Sequence, residues 1–244
     1  MVSESPGEKI MHYRALSPAR IIDTTKQLEK RVSERFPKSG LSKVARELVD
    51  LAEDTAASSK AMETPIWWLR VLIALAILAG GGIFLFVGTL LTFDRISTGA
   101  FDFVQGIEAS LNTVILASLG FLALVRAEER IKRQRVFKEL HGLRSLIHVI
   151  DMHQLTKDPG TLSDAFTPTK NSPERITNSA DLARYLDYCS EMLSITGKLA
   201  ALFAQSVNDG VVIDAVNSVE GLGSNLSRKI WQKITLIEET SRGQ

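Results

Sequence analysis

Residues 66–93 read IWWLRVLIALAILAGGGIFLFVGTLLTF, and Arg70 is the only formally charged residue among them. As a helix this run reaches about 40 Å at ~1.5 Å per residue, whereas a bilayer core needs only ~20 apolar residues. A second apolar block runs from about Ile107 to Val125, with Glu108 at its edge and no charge after it. It also reaches spanning length, so the sequence predicts two transmembrane helices. The residues ahead of the first block are polar and charged, unlike a cleaved signal peptide, whose apolar stretch lies at the very start. The expected class is an integral membrane protein with membrane lipid as its first partner.

Orientation follows from the flanks. The connector from Asp94 to Gly106 carries one basic residue, Arg95, with Asp94 and Asp102. Immediately after the second block come Arg126, Arg130, Lys132, Arg133, Arg135 and Lys138. Basic flanks stay inside, so the connector is expected outside and both termini in the cytoplasm. Trp67 and Trp68 suit the headgroup level, with Arg70 snorkelling back toward it or facing a pore.

The rest of the chain reads as helix. Ser17 and Pro18 form a helix start, and Ile21, Thr25, Leu28 and Val32 make one stripe. Lys38-Ser39-Gly40 reads as a turn, after which Leu41, Val44, Leu48 and Leu51 mark a second helix. Val136, Leu140, Leu143, Ile147 and Ile150 continue the second span without a breaker, so one helix is expected from the bilayer to about Leu155. Pro159, Gly160, Pro168 and Pro173 then interrupt the pattern. Leu182, Leu186, Cys189, Leu193, Thr196, Ala200, Phe203 and Val207 alternate steps of four and three, and Val212, Val216, Val219, Gly223, Leu226, Ile230 and Ile237 carry a second seam beyond an Asn208-Asp209-Gly210 turn. Such seams argue for a helical hairpin in a bundle or coiled coil. Gly223 and Lys233 weaken the last seam. The fold class is all-α, with a cytoplasmic bundle built from both termini. Its expected parts are an N-terminal hairpin (1–64), a transmembrane hairpin (65–126), a stalk helix (127–157), a linker loop (158–178) and a C-terminal hairpin (179–244).

The 244 residues carry 29 Lys and Arg against 28 Asp and Glu, a net charge of +1, so bulk attraction to nucleic acid is not legible in the total. A single Cys excludes a disulfide framework within the chain and a Cys-rich zinc module. Gly80, Gly81 and Gly82 lie inside the first span, and Gly221-Leu222-Gly223 lacks the spacing and the Lys of a phosphate-binding loop. Cys189 occupies a seam position, where a buried thiol is the expected role. No enzyme signature and no cofactor motif emerge.

Two regions hold chemistry. In the spans, Gly80, Gly81, Gly82 and Gly88 either let a partner helix approach closely or supply a bend for gating. Ser110, Asn112, Thr113 and Ser118 make the second span the more polar, either lining an aqueous path or joining helices by hydrogen bonds. Two spans cannot enclose a pore, so a path requires several copies. Beyond the membrane, Arg130, Lys132, Arg133, Arg135 and Lys138 attract anionic lipid or, ringed around an axis, a polyphosphate or oligonucleotide. His141, Arg144, His148 and Asp151 form a further stripe, open to interhelical contacts or to an anion held by Arg144 and His148. His141 and His148 stand about 10.5 Å apart at ~1.5 Å per residue, too far to share a metal.

The segments ERFPKSGL (34–41) and HVIDMHQLTKDP (148–159), with two spans between them, resemble a widespread group of bacterial two-span membrane proteins. The group is identified as including the membrane subunit of the Hailong anti-phage defence system. The resemblance implies a homotetrameric ion channel that depolarises the infected cell. It further implies that single-stranded DNA oligomers, made by a partner nucleotidyltransferase, hold the channel shut. Beside that expectation stands a second: a membrane-anchored helical scaffold that recruits a cytoplasmic partner.

Overall fold

A computed structural model describes residues 15–90, 100–162, 166–173 and 175–242. Six α-helices are described: α1 (Pro18–Arg35), α2 (Gly40–Glu63), α3 (Trp67–Leu90), α4 (Ala100–Leu155), α5 (Ser179–Ser206) and α6 (Gly210–Arg242). A single 3-10 turn, Pro159–Leu162, follows α4. The described residues contain no strand. The chain divides into two compact units, a bundle of Met1–Glu63 with Arg135–Gln244 and an apolar unit of Thr64–Gln134.

The bundle buries the stripes that periodicity marks. Leu28 and Val32 of α1, Leu41 and Leu48 of α2, Val136, Leu143, Ile147 and Ile150 of α4, and Leu186, Leu199 and Phe203 of α5 enter one core. α5 and α6 form the most extensive pairing, and α1 and α2 pack on each other and on α5. The two heptad seams therefore meet within one chain. Burying a Leu, Ile or Phe side chain contributes about 1.5–3 kcal/mol, so this core stabilises the bundle by its apolar faces.

Local chemistry sets the helix ends. Pro18 occupies the first turn of α1 after Ser17, whose hydroxyl makes no cap bond; its carbonyl instead accepts the Ile21 N–H at 3.2 Å. The Ser39 hydroxyl accepts the Ser42 N–H at 3.1 Å and caps α2. The left-handed residue between α1 and α2 is Lys38, at φ 59°, and Gly40 already lies in the helix. Asn178 accepts the Ala180 and Asp181 N–H groups at the start of α5, and Asp209 does the same for Val211 and Val212 at the start of α6.

Two helices are long and apolar enough to cross a membrane, one within residues 40–82 and one within residues 111–162. Almost nothing of either apolar stretch is buried within the chain. The apolar side chains of both stretches are therefore left uncovered by the described residues of the chain. The 24 residues of α3 span about 36 Å at ~1.5 Å per residue. The remaining helix, α4, is uninterrupted for 56 residues. It belongs to the apolar unit as far as Gln134 and to the bundle from Arg135 onward.

Candidate functional site

α4 carries all of the basic candidates. Arg130, Arg135, Lys138, His141, Arg144 and His148 are exposed, and Lys132 and Arg133 are half-buried. Arg130, Lys132 and Arg133 fall in the apolar unit, and Arg135 onward in the bundle. Lys132 is engaged: its Nζ lies 3.1 Å from Glu128 Oε1. Within the bundle, Lys138, His141, Arg144 and His148 line the face of α4 turned away from the buried Val136, Leu140, Leu143 and Ile147. Asp151 of the same stripe accepts the Gln154 side-chain amide at 2.6 Å. One chain thus displays an open helix face rather than a pocket. Among the described residues no three His, Cys, Asp or Glu side chains are grouped to hold a metal.

In the spans, Asn112, Thr113 and Ser118 are exposed. The Ser118 hydroxyl donates back to the Val114 carbonyl at 2.7 Å, the ordinary resting place of a helical hydroxyl in an apolar setting. A Cβ built on Gly80, Gly81 or Gly82 meets nothing within 4 Å, so no described part of the same chain uses the close approach these glycines permit. The side chain of Ser110 and the surroundings of Gly88 lie outside the described residues.

The structure brings together a cluster that sequence periodicity does not reveal. The α1–α2 turn, the end of α4 and the start of its following loop meet α5 and α6. A Cβ on Gly40 would fall 2.4 Å from His153 Cε1, so glycine is required for the imidazole to lie on the helix start. Phe36 packs edge-on against Tyr185 with centroids 5.3 Å apart. Lys157 Nζ stands 5.1 Å from the centroid of the same ring, within cation–π reach. Lys233 of α6 reaches the end of α4, donating to the Gln154 carbonyl at 3.0 Å, to Gln154 Oε1 at 2.7 Å and to the Lys157 carbonyl at 3.4 Å. It satisfies carbonyls that a helix terminus leaves open. The residue that interrupts the apolar seam is therefore the cap of another helix. Residues of the 34–41 and 148–159 segments thus meet at this joint.

Burial sets the ionisation of the joint. Desolvation, reinforced by the Lys157 charge, holds the His153 imidazole below its ordinary value and favours the neutral ring. Desolvation also lowers Lys233, against the opposing pull of Asp158, Asp151 and Cys189. Burial pushes the Cys189 thiol up to about 12, so at neutral pH it is a packed thiol rather than a nucleophile. Tyr185 is pushed up by the same cause. The joint holds the end of α4, and its groups are occupied with one another.

Gly223 resolves the other apparent weakness of the last seam. A Cβ there would meet the Leu193 carbonyl oxygen at 3.3 Å and Ile147 Cδ1 at 3.8 Å. The glycine marks close approach of α6 to α5 and α4. Beside it lies an open groove of about 350 Å³ whose lining includes Ser194, Lys198, Arg228 and Trp231.

No protein-family model matches the chain, and neither curated proteins nor solved structures include a match to it.

Proposed function

We propose that the protein is a homo-oligomeric ion-channel effector of the bacterial inner membrane, with an anti-phage role as its cellular setting. Its termini lie in the cytoplasm, and a nucleic-acid or nucleotide ligand bound to its cytoplasmic helices keeps it closed. The observation that carries this reading is α4. One uninterrupted helix supplies the second apolar span and, farther along, Val136, Leu143, Ile147 and Ile150 of the bundle core. We read this continuity of the chain as the route by which a ligand at the bundle would act on the span.

The bare spans support several copies. Leu111, Val114, Leu116 and Leu119 are more than half exposed, and among the described residues none comes within 4 Å of a Cβ built on Gly80, Gly81 or Gly82. Copies arranged around an axis would cover these faces, place Asn112 and Ser118 toward an aqueous path, and bring the α4 rows of Arg135, Lys138, Arg144 and His148 near one another. The resemblance to the two-span defence proteins supplies the copy number, four, and the ligand class, single-stranded DNA oligomers from a partner nucleotidyltransferase.

The test is membrane potential, read with a voltage-sensitive dye in bacteria expressing this chain, beside cells expressing a copy whose spans are replaced by an inert hairpin. Depolarisation confined to the native spans supports the channel. Unchanged potential, persisting after the protein is stripped of nucleic acid and reconstituted in liposomes, rejects it in favour of the membrane-anchored scaffold.

A further inference from the structure

The chain between the bundle and the first span is short. α2 ends at Glu63 and α3 begins at Trp67, with Thr64, Pro65 and Ile66 between them. The Ile66 carbonyl accepts the N–H groups of Leu69 and Arg70, at 3.1 and 3.2 Å, so Ile66 stands at the mouth of α3. Its own N–H has no acceptor within the helix and donates to the side chain of Glu128, at 3.3 Å from Oε1. Glu128 belongs to α4. A carboxylate here meets the positive end of the α3 dipole.

Two cations complete the arrangement. Lys132, one turn along α4, lies 3.1 Å from Oε1, and Arg70 Nε, one turn into α3, lies 3.9 Å from Oε2. The Glu128 side chain is only 19% exposed. Desolvation pushes this carboxyl up, yet the Lys132 hydrogen bond, the Ile66 N–H and the Lys132 and Arg70 charges together hold it below its ordinary 4.5. It is a charged, largely desolvated side chain of one apolar helix on which the start of the other hangs. Glu129, its neighbour in sequence, is exposed, so of the two carboxylates it is Glu128 that meets the start of α3.

We propose that Glu128 is the positioning residue that locks the membrane-entry end of the first span to the second, so that α3 follows α4 when α4 moves. Covalently, α3 is tied to the bundle by Thr64–Ile66 and to α4 by its far end. Glu128 adds the side-chain tie at the near end. Arg70 thereby has a partner outside the apolar run, and its placement near the interface needs no pore-facing role. The effect of this lock on conduction rests on the channel reading; the lock itself does not.

The experiment uses the full chain in lipid vesicles, with nitroxide labels on W67C and R126C, both exposed positions, and with labelled chains diluted into unlabelled ones so that only distances within a chain are read. Cys189 is buried and is replaced by Ser as a precaution. The unaltered lock gives a single narrow distance distribution. E128A is expected to broaden it and move its maximum outward, and E128Q, which keeps an acceptor for the Ile66 N–H but loses both ion pairs, to broaden it less. I66P removes the donor while leaving the carboxylate, and it is expected to reproduce most of the E128A effect without touching a charge. Circular dichroism of each variant checks that the helices remain. Distributions for folded E128A and I66P that superimpose on the unaltered one overturn the proposal. Ion flux in the same vesicles is the separate arm: a distance response without flux in any variant preserves the lock and rejects the channel, whereas flux with unresponsive distances does the reverse.

Discussion

Replacing Gly40 by Ala tests the joint between the α1–α2 turn and the end of α4 through a change of sign. Gly40 lies inside α2 and its φ is not positive, so by backbone entropy alone Ala should stabilise by about 0.4–1 kcal/mol. The structure opposes this. The new methyl carbon would fall 2.4 Å from His153 Cε1, where ordinary contact begins at 3.4 Å, so the ring must retreat by at least the difference or swing out. Overpacking of this kind costs about 1–3 kcal/mol, and because His153 is a side chain on a helix end, the lower half of that range applies. The net expectation runs from no change to a loss of roughly 1.6 kcal/mol, in place of the gain that backbone entropy alone would give.

In an H153A background the clash is gone and the same G40A change should stabilise. Thermal and denaturant unfolding of the full chain in detergent, followed through the four-variant cycle, reads the coupling between the two positions. Hydrogen exchange of the α2 start should quicken in G40A and recover in the double variant. A G40A change that stabilises equally with and without His153 would refute the contact and, with it, the role assigned to the joint.

Three further outcomes follow from the same geometry. His153 is neutral in the fold because burial, aided by Lys157, lowers its pKa below 6.5; the unfolded chain binds this proton first, so stability present above about pH 6.5 should fall as pH drops toward the depressed folded value, and H153Q should flatten that part of a stability–pH profile. K233M keeps the stem of the side chain but removes the Lys233 hydrogen bonds to Gln154 Oε1, to the Lys157 carbonyl and to the Gln154 carbonyl, which retains the Lys157 N–H, with an expected cost of about 1–3 kcal/mol and faster exchange of amides in 154–162; unaltered exchange there would show that the cap is dispensable. G223A puts a methyl 3.3 Å from a backbone oxygen, which cannot swing away, and should lower the unfolding midpoint more than S224A, whose side chain lies at an exposed position.

Periodicity made the helices legible because it reports which face each one buries. Ile21, Thr25, Leu28 and Val32 are all buried, as are Leu182, Leu186, Cys189 and Leu193. Composition alone marked the apolar runs, because a long stretch with almost no charge has the length and apolarity to cross a bilayer. What remained hidden is tertiary and polar. Lys233 looks like a defect in a seam until the carbonyl and side chain of Gln154 at the end of α4, 79 positions away, are seen beneath it. Gly40 reads as a turn residue because glycine so often is one, yet Lys38 takes the left-handed conformation and Gly40 makes room for an imidazole. Glu128 went unnoticed inside a run scanned for positive charge, and its partner N–H lies 62 residues earlier. No spacing rule links such pairs. The candidate ligand row was legible as a stripe, but a stripe fixes only which helix face the residues share, not what they face.

The energetics of that row argue for ligand sharing between chains. Moving a two-state equilibrium from one part in a hundred to ninety-nine requires a differential affinity of about 5.5 kcal/mol. Arg135, Lys138, His141, Arg144 and His148 are all exposed on one helix, and exposed ion pairs are worth about 0.2–1 kcal/mol each. Even with every member engaged in one state and none in the other, a single row supplies roughly 1–5 kcal/mol, short of a full switch. Rows from several chains converging on one polyanion multiply the sum and also exclude water, which raises the value of each contact. A ligand-controlled channel built on this row should therefore bind fewer than one long oligonucleotide per chain at saturation, with a steep salt slope. R135Q and R144Q together should flatten that slope and weaken binding, measured by titration of the detergent-solubilised protein with a fluorescent single strand. One independent site per chain, with a shallow slope untouched by both substitutions, would detach the row from control of the spans and leave α4 without the lever assigned to it.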